Sequence, residues 1–275
     1  MKKIMVIMLV LFFWSGTAAL FADNVKEAEA FLDKGNSKCA LEDYAGAVKD
    51  YDEAIKLDPQ NYKAYFNQGL AKGNSGDMAG AIQDFTEVIA LKPKYVLAYL
   101  NRGFSKSKLK DFKGAIEDFD KGIEIDPKND KAYWDRAFTR NIMGDFTGAA
   151  MDYTKVIELN PKFVEAYVNR ADAKTSYQDY KGAALDLDKA IALKPDSRLA
   201  LLNRAVIRIN LNDFAGAVSD ATETIKLDPG SAEAYYWRGI AKDALKDRQG
   251  ALDDLKKAAS LGYSDAEEKM KEMAQ

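Results

Sequence analysis

Hydrophobic and polar positions alternate along this chain with the period of a helix. Between Gln60 and Gly76, Tyr65 and Gly69 stand four apart and Ala64 and Ala71 seven apart, spacings that put each pair on one helical face. In the next stretch Ala81, Ile82, Phe85, Val88, Ile89 and Leu91 predict a second amphipathic helix of about four turns. Gly76-Asp77 between them predicts a turn, whose aspartate accepts from the first free N–H groups of the second helix. Pro93 ends that helix, because proline lacks an N–H and clashes with the preceding turn. The segment reads as a helical hairpin.

The hairpin recurs. All six prolines, from Pro59 to Pro229, stand 34 residues apart, and a periodic proline complement marks an internal repeat. Placing proline at position 32 gives seven units: 28–61, 62–95, 96–129, 130–163, 164–197, 198–231 and 232–263. Position 3 is alanine from Ala30 to Ala234, position 16 is aspartate from Asp43 to Asp247, and position 19 is glycine from Gly46 to Gly250, each followed by alanine. Tyr263 stands where the seventh proline is due, in a unit with no successor to turn towards. Asn61, Asn129, Ser197 and Ser231 are expected to cap the first helices that follow them. Ser264-Asp265-Ala266-Glu267 has the form of a capping box. Residues 264–275 are therefore expected to form a terminal capping helix with Ala266, Met270 and Met273 on one face.

These columns resemble the tetratricopeptide repeat family. The resemblance rests on aromatics at position 4 (Phe31, Tyr65, Tyr99, Tyr133, Tyr167, Tyr235), small residues at position 8 (Gly35 through Gly239), alanine at 20, a large residue at 24 and proline at 32, with Leu201 and Ala221 as departures. It spans residues 28 to about 263. It implies an all-α fold, a tetratricopeptide-repeat solenoid: a right-handed superhelix of helical hairpins with a C-terminal capping helix. Small residues at 8 and 20 let paired helices approach closely, and the aromatics at 4 and 24 are expected to fill the layer between hairpins. Leu201 and Ala221 leave the sixth unit short of apolar volume, so local opening is expected to be easiest there.

The first 22 residues differ. Lys2 and Lys3 precede the apolar run Ile4–Trp14 and the small residues Ala18, Ala19 and Ala22, the order of a secretory signal peptide. Residues 1–22 are read as that signal, cleaved after Ala19 or Ala22, and 23–27 as a short lead-in; an uncleaved anchor is the alternative. Either way the repeats are expected outside the cytoplasm, periplasmic or secreted, with no stable membrane span after cleavage. The formal charge of −3 falls to about −5 without the two lysines, which gives no electrostatic reason to expect nucleic acid. The chain has no histidine, which removes most nucleophile systems and the commonest metal ligand. Its acidic columns recur seven times, as an active site need not. No catalytic residue, metal site or cofactor is expected. Cys39, the one cysteine, reads as a small residue on a helix face, with intermolecular pairing or metal binding as alternatives.

Position 23 is aspartate from Asp50 to Asp254, position 11 is always basic, and position 7 is arginine from Arg102 to Arg238. Two readings apply: a ladder of ion pairs that stitches helices together, or a basic stripe for an acidic ligand. In the family, positions 2, 5, 6, 9, 12 and 13 of the first helices face the concave side. Position 6 holds Asn67, Asn101, Asn169 and Asn203, similar to asparagine ladders that hold extended peptides, since an amide matches a peptide backbone as donor and acceptor. Positions 5 and 9 supply an expected apolar floor: Phe66, Leu100, Phe104, Trp134, Phe138, Leu202 and Tyr236. These residues either contact a ligand or pack between neighbouring first helices. The basic carboxylate clamp of chaperone-binding members is not reproduced, since Leu32 and Leu97 stand at its lysine positions. The expected function is a non-enzymatic protein–protein interaction scaffold of the cell envelope, with a peptide or protein partner in the groove. The alternative is a structural assembly subunit that works through its outer face or ends.

Overall fold

The computed structural model describes residues 23–274; the signal segment lies outside the described residues. Every described element is a helix, and none is long and apolar enough to cross a membrane. The chain divides into two compact units, one ending at Asp135 and one starting at Arg136.

The first unit contains α1 (residues 23–40), α2 (Tyr44–Leu57), α3 (Tyr62–Asn74), α4 (Met78–Leu91), α5 (Val96–Lys108), α6 (Phe112–Ile125) and the start of α7 (Asp130–Ile142). Residues 23–27 are already helical. The second unit holds the rest of α7, then α8 (Phe146–Leu159), α9 (Val164–Ser176), α10 (Tyr180–Leu193), α11 (Arg198–Asn210), α12 (Phe214–Leu227), α13 (Ala232–Ala244), α14 (Arg248–Ser260) and α15 (Asp265–Met273). Successive helices pack against one another from α2 to α6 in the first unit and from α8 to α15 in the second. First helices also meet: α3 touches α5 in the first unit, and α11 touches both α9 and α13 in the second. The chain is an all-helical solenoid of hairpins.

Caps delimit the elements. The position-16 aspartate accepts from the N–H of the glycine three residues on at 2.9–3.0 Å in all seven units. A Cβ on that glycine would sit 2.1–2.3 Å from the capping carboxylate, which is why the column admits no side chain. Asn61, Asn129, Ser197 and Ser231 cap as expected, each accepting from the alanine N–H three residues on. The residue before each proline is extended, with φ near −133 to −145°, because proline crowds it out of the helical region.

The core is built from small-against-large pairs. The position-20 alanines, Ala47 through Ala251, are fully buried, and Tyr51, Phe85, Phe119, Tyr153, Leu187 and Leu255 at position 24 fill the layer. A Cβ on Gly103 would lie 2.8 Å from the Phe119 ring and 3.1 Å from the Ala115 carbonyl. In the sixth unit α12 buries Ala217, Asp220, Ala221 and Thr224, with no apolar residue larger than alanine. The position-4 aromatics differ from expectation. Most are only half-buried; the Tyr99 and Tyr167 hydroxyls donate to the Pro93 and Pro161 carbonyls at 3.2 Å. Tyrosine keeps its polar tip at the rim rather than filling the layer. The position-3 alanines are buried from Ala64 onward, but Ala30 is exposed: this column faces the preceding hairpin, and no described hairpin precedes the first.

The terminal helix α15 covers α14, burying Ala266 and Met273 with Met270 packed beside them. Its expected capping box does not form. Ser264 is itself in the helical region (φ −59°, ψ −40°), so its hydroxyl is turned to the Asp265 carboxylate at 3.0 Å. The helix start instead carries Asp265, Glu267 and Glu268 in its first turn, where negative charge suits the helix dipole.

Candidate functional site

The basic columns are internal struts. Arg102 donates through Nε and Nη2 to both carboxylate oxygens of Asp118 at 3.0 and 2.6 Å, and Lys106 Nζ lies 2.8 Å from the same carboxylate. The arrangement recurs at Asp152, Asp186, Asp220 and Asp254, each held by a bidentate arginine and a second cation. These aspartates are 3–5 % exposed. The spare Nη1 of the arginine reaches back to the second helix of the hairpin before: Arg102 to Thr86, Arg170 to Thr154, Arg204 to Asp188 and Arg238 to Thr222, at 2.7–3.2 Å. One side chain thus closes its own hairpin and clips it to its neighbour. With these cations committed, the columns form a ladder and not a stripe for an acidic ligand.

The second repeat lacks this arginine. Gln68 donates to Asp52 and to the Val48 carbonyl at 2.6 and 3.2 Å, and Asp84 keeps only Lys72, at 2.8–3.0 Å. Burial pushes the Asp84 carboxyl up from 3.8 to about 6, with Lys72 opposing the rise. A carboxyl raised in the folded state favours folding when protonated; that contribution is whole below 3.8 and is lost as pH rises through about 6. Gln68→Arg supplies the missing guanidinium and is expected to stabilise the protein by about 1 kcal/mol at pH 7, with the gain shrinking at pH 4. Urea midpoints at the two pH values measure it; an equal gain at both would show that the new side chain acts through packing.

The first-helix faces hold the groove residues expected from the sequence. In the first unit, Asn67 Nδ2 donates to Asn36 Oδ1 at 2.7 Å and Asn101 Nδ2 to the Leu97 carbonyl at 2.7 Å, so both amides hold internal bonds. Phe104 is 45 % exposed, with Lys108 Nζ 5.1 Å from its ring centroid. Trp134 and Phe66 are half-buried, and Phe66 meets the rings of Phe85 and Tyr95. Leu100 corrects the expectation. It is 2 % exposed and lies over Gly122, where an added Cβ would meet it at 2.8 Å. Leu32 and Val168, at the same position, are buried in the same way, whereas Phe66, Trp134, Leu202 and Tyr236 stay half-buried.

In the second unit Phe138 is 51 % exposed, and Asn169 is within hydrogen-bonding reach of the buried Tyr153 hydroxyl. Leu202 and Tyr236 are half-buried, and the Tyr236 ring packs between Trp237 and Tyr263 at 5.0 and 4.6 Å. Asn203 opens into a pocket of about 190 Å³ between α9, α11 and α13, which it shares with Asp172, Val206, Glu233 and Trp237. None of these four is among the peptide contacts expected above, although Asp172 and Val206 stand at position 9, Trp237 at position 6 and Glu233 at position 2. The available signal was Trp237, which interrupts the asparagine column at position 6.

Cys39 accepts from the Tyr51 hydroxyl at 3.5 Å and packs beside the buried cluster of Leu32, Ala47, Tyr51 and Ala54. Among the described residues no group of His, Cys, Asp and Glu side chains is placed to hold a metal ion.

Sequence profiles of the tetratricopeptide repeat match residues 35–76, 62–95, 96–129, 143–198 and 202–266. No curated protein matches the chain at a significant level. Solved structures show the same fold at low identity. The C-terminal part of a repeat-containing protein from Cytophaga hutchinsonii is 15 % identical with a TM-score of 0.74, over 85 % of this chain and 96 % of that one. A tetratricopeptide repeat protein from Parabacteroides merdae is 22 % identical with a TM-score of 0.64, over 87 % and 94 %. YrrB, described as a tetratricopeptide protein with an unusual peptide-binding site, is 20 % identical with a TM-score of 0.59, over 66 % and 93 %. The profiles, the 34-residue columns and the hairpins agree: the chain belongs to the tetratricopeptide repeat family.

Proposed function

We propose that this protein is a non-enzymatic interaction scaffold of the cell envelope that holds an extended peptide or partner segment on its first-helix faces. One observation carries the reading. From the third repeat onward the ion-pair columns are satisfied internally, while the first-helix faces combine side-chain amides with exposed aromatics such as Phe104 and Phe138. Exposed apolar rings beside amides suit a peptide, the rings for side chains and the amides for backbone. The peptide-binding site described for YrrB supports the same use of a similar fold, and the signal-like first 22 residues support export.

Changing Asn101, Asn169 and Asn203 to alanine together is expected to weaken a partner captured from envelope extract about tenfold or more, at roughly 0.5–1.5 kcal/mol per lost hydrogen bond. Trp134→Ala is expected to cost at least as much. Titration calorimetry measures both, with melting curves to separate any loss of fold through Asn169. A second reading has its own observation: Met151 and Leu185, at position 22 of consecutive repeats, are 67 % and 69 % exposed on second helices. Undiminished binding by both groove variants would transfer the function to that surface.

A further inference from the structure

We infer that the pocket between α9, α11 and α13 receives the cationic side chain of a bound peptide, so that the segment held by the second unit is basic; this rests on the groove reading above. Asp172 and Glu233 line the pocket with Trp237, Asn203 and Val206. Both carboxylates are exposed, and neither is paired with a lysine or arginine among the described residues. Trp237 Nε1 donates to Glu233 Oε1 at 3.3 Å, which links the indole and that carboxylate in one wall.

Size and charge select the occupant. At about 190 Å³ the pocket is smaller than the roughly 300–1,000 Å³ that encloses a drug-sized molecule, and it suits one long side chain. A lysine or arginine stem can lie along Val206 and the indole while its charged head meets the two carboxylates and the aromatic face. The surroundings agree. At the groove positions of α9, α11 and α13 stand Glu165, Asp172, Glu233 and Asp243, and no lysine or arginine. The same positions of α3 and α5 carry Lys63 and Lys108 and no acid. The cations of the second unit's first helices are tied into the ladder, and Arg198 is bound to Asp228 at 2.6 Å. A face with unpaired acids and committed bases attracts positive charge.

The test uses the full chain and two labelled extended peptides that differ only in lysine against glutamine, followed by fluorescence anisotropy at fixed salt. The lysine peptide is expected to bind at least tenfold more tightly. Asp172→Asn with Glu233→Gln should erase that preference, whereas neutralising two exposed acids elsewhere, Glu87→Gln with Asp196→Asn, should leave it. Asp172→Lys with Glu233→Lys should turn the preference towards a glutamate peptide. Equal binding of the lysine and glutamine peptides by the unmodified chain overturns the pocket but leaves the groove standing. Equal loss in the pocket and control variants also overturns it, because net charge would then be the cause. Binding of neither peptide overturns the basic-segment proposal, while the asparagine and Trp134 variants against the captured partner judge the groove separately.

Discussion

Phe119→Ala is expected to lower the unfolding free energy by about 3–5 kcal/mol, the largest effect of any single truncation considered. The ring is 1 % exposed and lies against Gly103, so removing it opens a hole that helical backbone cannot collapse into. The columns alone do not fix the match, since position 8 is Ala137 where position 24 is Tyr153 and Gly239 where it is Leu255; the contact at this site does, because a Cβ on Gly103 would meet the Phe119 ring at 2.8 Å. Gly103→Ala alone should therefore strain against the Phe119 ring, and Gly103→Ala with Phe119→Leu should cost less than the sum of its parts. Urea denaturation of the four proteins measures the coupling, and strict additivity would show that the pair is not matched in size.

Asp152→Asn is expected to cost about 3 kcal/mol. The carboxylate is 3 % exposed and accepts from Arg136 at 2.9 and 2.6 Å and from Arg140 at 2.7 Å. An amide offers no negative charge, so two guanidiniums with side chains only 15 % and 24 % exposed are left facing each other. Their residual contact with water holds the cost at the lower end of the range for a broken buried pair. Glu158→Gln, on an exposed side chain of the same helix, should change stability by no more than about 0.5 kcal/mol. A loss at Asp152 as small as that at Glu158 would mean the ladder is ornamental.

The hairpins, aspartate caps and ladder were legible because each makes one geometric demand seven times, and a demand repeated in register shows as a column. What the columns hid is local. Helical period says that positions 5, 6 and 9 are neighbours but not where the seam between helices falls, so Leu100 read as floor and is core. The pocket was hidden for the opposite reason. Asp172, Glu233 and Trp237 come from different positions on two helices, and Asp172 and Trp237 depart from their columns, so only three-dimensional packing brings the three together. Ser264 failed as a cap because the chain enters α15 already helical, a matter of backbone that its side-chain pattern does not record.

The arginine at position 7 bears on how such a chain acquires its structure. Arg102 finds Asp118 sixteen residues ahead and Thr86 sixteen residues behind, and the same two intervals recur at Arg170, Arg204 and Arg238. Joints this local cost little loop entropy to close, and contacts of short sequence separation favour rapid folding. A hairpin can form and be secured to its predecessor before the rest of the chain has collapsed, so order can spread from repeat to repeat without waiting for the termini to meet.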